Sequence, residues 1–133
     1  MDTLRILLTG FGIGIASSFA EWLLIGKLFH KYQDETPATW RKESPVSYIL
    51  SSLLAVLFGL LFAFFYDRVG RDFAAGDMMR AIKLGLLCCV AFTITSELSS
   101  AIYVQWSWRF ILGKLISSIV VYTIAGIIAF LFL

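Results

Sequence analysis

The sequence predicts an all-α, polytopic membrane protein built as a bundle of four transmembrane helices. Composition is the first observation: 59% of the 133 residues are hydrophobic and 16% aromatic, with a mean hydropathy of +0.86. A soluble fold of this size leaves too much surface exposed to hide that much apolar area. The second is that the apolar residues gather into four stretches, each reaching the ~20 residues a helix needs to cross the hydrocarbon core. The third is the absence of period-2 alternation, which argues against a β-barrel. The length suits one membrane domain over 1–133.

The spans follow from where charges are missing. The first covers about 4–29 and is uncharged from Ile6 to Ala20, where Glu21 interrupts it. The second, about 46–66, is preceded by Ser44-Pro45, an N-cap followed by proline at the first helical position. The third, about 78–104, carries Arg80 and Lys83 near its start and Glu97 late, with Asp77 as its cap. The fourth, about 108–133, has Arg109 and Lys114 in its first two turns and Ser107 as its cap. The connection 30–44 holds Asp34, Glu35, Pro37, Arg41, Lys42 and Glu43, so it belongs in water or among headgroups. Trp40, Trp106, Trp108, Tyr32, Tyr48, Tyr66 and Tyr103 fall near span ends, as interfacial aromatic belts do. The link 104–107 is short enough to make spans three and four a tight antiparallel hairpin. Ser18-Phe19-Ala20 resembles a signal-peptide cleavage site, but Arg5 is the only basic residue ahead of it and Asp2 offsets it. The segment is expected to be retained.

Four spans place both termini on one side with the 67–80 loop. That side holds Arg5, Arg68, Arg71, Arg80 and Lys83; the other holds Lys27, Lys31, Arg41, Lys42, Arg109 and Lys114. Five against six gives the positive-inside rule little to act on, and insertion in both orientations is one way to read it. If Lys27, Arg109 and Lys114 are packed structural charges, five against three puts the termini in the cytoplasm.

Small residues mark the packing faces. Ser51, Ala55, Gly59 and Ala63 recur every four residues in span two, and Gly10 and Gly14 form a GxxxG in span one. Such stripes let helix backbones approach closely when lipid supplies no hydrophobic drive. Packing within the bundle is the plainer use; a homo-oligomer interface is the sharper one, because four helices can offer more small faces than one bundle consumes.

Chemistry, if present, lies in the intramembrane polar residues. Ser17 and Glu21 share a face of span one; Thr93, Glu97 and Ser100 share one of span three; Lys114, Ser117 and Ser118 line span four. Counted from the span ends, Glu21, Glu97 and Lys114 all lie roughly 10–12 Å inside the same membrane surface. Lys27, His30 and Arg109 stand nearer that surface, at a possible entrance. The geometry invites a Glu–Lys pair and a second carboxylate with no equally good partner. A carboxylate in hydrocarbon is costly unless it is paired, protonated or facing water. It therefore suggests a proton-exchanging group, as in a small proton-linked transporter or channel subunit. The alternative is a hydrogen-bonded Glu–Lys–Glu cluster that only fixes helix register, in a structural or accessory protein. A lipid-modifying membrane enzyme ranks last, because short loops leave little room for a soluble substrate.

Other chemistries find no support. Cys88 and Cys89 diverge by about 100° on a helix, which suits packing better than metal chelation. A single histidine gives no metal site. The motifs of zinc proteases, serine hydrolases and P-loop enzymes are absent. A net charge of +2 spread over both sides suggests no nucleic-acid partner. No cofactor is implied, and the bilayer is the one partner the composition requires.

The stretch AIYVQWSWRFIL over 101–112, with its Trp-basic-aromatic re-entry after the third span, resembles a group of small four-helix bacterial integral membrane proteins of unknown function. The stretch WLLIGK over 22–27 is similar to that group's Trp…Gly-Lys ending of the first span, with shorter spacing and without its proline. The resemblance implies a four-helix fold in the bacterial inner membrane and no particular activity.

Overall fold

The computed structural model describes residues 2–42 and 44–133. Four helices are long and apolar enough to cross a membrane: α1 (Thr3–Leu28), α2 (Pro45–Ala74), α3 (Met78–Tyr103) and α4 (Trp108–Phe132). Length and composition make this a multi-pass membrane protein, and no strand occurs among the described residues.

Local chemistry sets most of the boundaries. The Asp2 carboxylate accepts from the Arg5 N–H at 3.3 Å, Ser44 accepts from the Ser47 N–H at 3.3 Å, and Asp77 accepts from the Met79 N–H at 2.9 Å. Ser107 departs from its expected role. It occupies the N-cap position of α4, yet its hydroxyl caps nothing and donates to the Glu35 carboxylate instead. Glu43, expected in the polar connection, lies outside the described residues.

α2 runs past its expected end near residue 66 to Ala74. Nothing in that stretch breaks a helix, and the Asp67–Arg71 pair at 3.1 Å spans one turn of it. The chain reverses only at Ala75 and Gly76, whose φ angles of 48° and 76° are left-handed. Tyr66 therefore does not belong to an interfacial belt. It is 2% exposed, within the core. Three helices also contain π-helical turns, at Leu24–Leu28, Tyr66–Gly70 and Cys89–Ile94.

α1 and α4 are central. α1 packs along α2 on one side and α4 on the other, while the first half of α3 packs on α4. At the end holding the termini all four helices converge on Ile13, Phe62, Tyr66, Leu84 and Ala125. There the Arg5 side chain donates to the Phe132 carbonyl, tying the two chain ends together. At the opposite end the helices splay, and Val46 to Leu54 of α2 is exposed throughout.

Small residues make the α1–α2 contact. A Cβ on Gly14 would lie 2.6 Å from the Val56 Cα, one on Gly10 2.7 Å from the Leu60 Cα, and one on Gly59 2.5 Å from the Gly14 nitrogen. These are backbone atoms that cannot swing aside. Ala55 and Ala63 are buried in the same seam, whereas Ser51, the fourth member of the predicted stripe, is exposed. Gly12, on another face of α1, has nothing within 4 Å of its would-be Cβ. Gly14→Ala or Gly59→Ala is therefore expected to destabilise the protein by about 1–3 kcal/mol. Gly12→Ala should be neutral or stabilising by up to about 1 kcal/mol. Thermal unfolding in detergent, compared across the three variants, checks this ordering.

Candidate functional site

Where α1 and α2 part beyond Gly14, they leave a cleft of about 560 Å³ reaching across to α3 and α4. Its polar wall comes from Ser17 and Glu21 of α1, Ser51 of α2, Thr93 of α3, and Ser118 and Tyr122 of α4. The periodicity of each helix explains the assembly. Residues four apart on one face present a hydroxyl or carboxylate to the same gap. Thr93 and Tyr122 join their hydroxyls at 2.7 Å and tie α3 to α4 along this wall. Thr93 sits in the π-helical turn Cys89–Ile94, and such turns occur frequently at functional sites. Ser17 is 1% exposed, and its hydroxyl has no hydrogen-bond partner.

The two intramembrane carboxylates have different fates. Glu97 pairs with Lys114 at 2.6 Å, and their side chains are 24% and 25% exposed. The Lys114 ammonium also lies 4.1 Å from the centre of the Trp106 ring. Its charge is thus neutralised and covered. Glu21 has neither hydrogen bond nor ion pair among the described residues. It faces the cleft, within electrostatic reach of Lys114 and Glu97, which do not themselves line it.

The remaining predicted residues scatter. Ser100 does not line the cleft; its carbonyl accepts from Val104 at the end of α3. Lys27 is exposed, with its ammonium 5.2 Å from the Trp22 ring centre. Arg109 is 55% exposed, 3.8 Å from Glu35, and lies over the Tyr32 and Trp108 rings. His30 begins the 3-10 turn His30–Glu35. None of these three lines the cleft. Lys27 is not the packed charge that would allow it to be discounted for topology, whereas Arg109 is engaged by Glu35 and two rings. Setting Arg109 and Lys114 aside leaves five basic residues at the termini end against four at the other. Cys88 and Cys89 are buried free thiols, and no group of three His, Cys, Asp or Glu could hold a metal among the described residues.

Tyr122 and Phe58 are the aromatic cleft residues that sequence patterns passed over, along with Ser47, Leu50, Leu54 and Val121. Tyr122 was within reach, because Lys114, Ser118 and Tyr122 repeat every four residues. Phe58 had no such marker among the many aromatic residues of α2.

Removing one partner of this half-buried ion pair strands the other. Lys114→Met should therefore destabilise the protein by an amount on the order of 3 kcal/mol, and Glu97→Leu added to it should restore much of that loss. A double-mutant cycle on thermal unfolding measures the coupling; additive effects would show that the pair holds nothing together.

No curated protein and no solved structure matches this chain. A family match extends over residues 6–130, taking in all of the cleft-lining residues named above. The chain belongs to the family described as "Protein of unknown function (DUF1761)".

Proposed function

We propose that this membrane protein is a proton-linked transporter subunit in which Glu21 is the group that gains and releases the proton. One observation carries the proposal: Glu21 is an unpaired carboxylate on the wall of a mostly apolar cleft, in a helix long and apolar enough to cross a membrane, beside a Glu97–Lys114 pair that is already neutral. A cluster serving only helix register would engage both carboxylates, and here only Glu97 is engaged. A lipid-modifying enzyme built on Glu97 would need that residue at an opening, whereas it is consumed by Lys114. The charged and titratable groups around Glu21 are Glu97 on α3 and Lys114 and Tyr122 on α4; the facing part of α2 contributes hydroxyls and apolar side chains.

The shape favours a carrier over an open channel. The cleft ends against the packed core at the termini end, so access is one-sided. The π-helical turns next to Glu21 and within α3 give both helices a place to change register.

The experiment is infrared difference titration of the protein in lipid. A carboxyl stretching band should appear and vanish reversibly across the accessible pH range in the wild type and be missing from Glu21→Gln. A spectrum in which no band assignable to Glu21 titrates would sink the proposal.

A further inference from the structure

We infer that the cleft takes a small organic ammonium ion, its charged head on the Glu21 carboxylate and its apolar body against Leu54, Phe58 and Tyr122. The inference rests on the proton-exchange role of Glu21 and adds the chemical class that competes with the proton.

Charge decides the sign of the ligand. Glu21 is the one ionisable carboxylate lining the cleft among the described residues, and the nearest cation, Lys114, is held by Glu97 and the Trp106 ring. An anion would meet uncompensated repulsion there. A neutral molecule would leave a carboxylate in apolar surroundings with nothing to offset its desolvation. A metal ion would find one carboxylate where it needs several ligands.

Hydrogen bonding narrows the class to an ion carrying N–H groups. Ser17 precedes Glu21 by one helical turn, about 6 Å along the axis. Its hydroxyl is buried, unpartnered and at the cleft wall, an acceptor waiting for a donor. Ser51 offers a second hydroxyl from the facing helix. A primary ammonium could give one N–H to the carboxylate and others to these oxygens.

The rest of the cleft selects an apolar body. Phe58 and Tyr122 meet edge to face with centroids 5.1 Å apart, and Leu50, Leu54 and Val121 complete the apolar lining. Aromatic rings also attract cations through their π faces. The volume of about 560 Å³ lies in the range of small-molecule sites, roughly 300–1,000 Å³. The ammonium itself is unchanged: it and the proton exclude each other at one carboxylate, so loading a protonated site with the cation breaks the Glu21 O–H bond and releases that proton to water.

The test uses the purified full-length protein and three probes of one shape: 2-phenylethylammonium, neutral 2-phenylethanol and anionic phenylacetate. Isothermal titration calorimetry should detect binding of the ammonium alone, weakening as the solution is acidified. Glu21→Gln should weaken it by about ten- to a hundredfold, the span of a hydrogen bond to a charged group. Glu21→Asp, which keeps the charge, should retain measurable affinity and guards against a variant that merely misfolds. Equal binding of the three probes, or equal ammonium binding by wild type and Glu21→Gln, overturns the inference. A carboxyl that titrates in the infrared without any ammonium binding overturns it too, while leaving proton exchange in place. A carboxyl that never titrates removes the proton-exchange role, the one on which the inference stands.

Discussion

The contact between α1 and α2 holds the rest of the structure in position. In lipid there is no hydrophobic gain from bringing two apolar helices together, so association depends on close packing of atoms that can approach. Gly10 and Gly14 on one helix and Ala55, Gly59 and Ala63 on the other remove the side chains that would keep the backbones apart. The close backbone contact ends at Gly14, and beyond it the two helices meet through the Ser18 and Ser52 hydroxyls at 3.5 Å. One turn farther along α1, at Ser17, the facing helix changes from glycine and alanine to Ser51 and the exposed stretch before it. The same pair of helices is thus locked at one end and open at the other, and the opening is the cleft.

That geometry explains why three charged side chains at similar depth are treated unequally. Glu97 and Lys114 come from the two helices of the α3–α4 hairpin, which are adjacent by connectivity and meet directly. Trp106, from the link between them, covers the ammonium. Glu21 arrives from α1 on the other side of the gap. A charge inside the hydrocarbon costs up to about 2.5–3.5 kcal/mol on insertion scales, and Glu21 has no ion pair or hydrogen bond among the described residues to offset it. That imbalance is the observation behind the exchange role proposed for Glu21.

The connection between α1 and α2 adds a clasp on the hairpin side. Phe29 lies against Gly113, where it would collide with any Cβ. The Thr39 hydroxyl donates to the Gln105 carbonyl, and Trp40 stands edge-on to Phe110 with centroids 4.7 Å apart. Ser107 and Arg109 both reach Glu35. These contacts bind the end of α1 and the connection after it to the start of α4.

The fold was legible in the sequence because the bilayer imposes a one-dimensional rule. A stretch must be apolar and about 20 residues long to span, and caps such as Asp77 and Ser44 act within a few residues of themselves. The extension of α2 to Ala74 escaped that rule because it lies beyond the apolar run, where an Asp67–Arg71 pair and the burial of Tyr66 sustain the helix. Helical periodicity likewise put Ser17 beside Glu21 and Thr93 beside Glu97, since spacing along one helix is fixed by its pitch. What it could not supply is which helix faces which. The partner of Lys114, the diversion of Ser107 from cap to clasp, the exposure of Lys27 and Arg109, and the entry of Phe58 and Tyr122 into the cleft all depend on crossing and splay between helices. Those were decided by where glycine lets backbones touch and where larger or polar side chains force them apart, a property of pairs of helices in space.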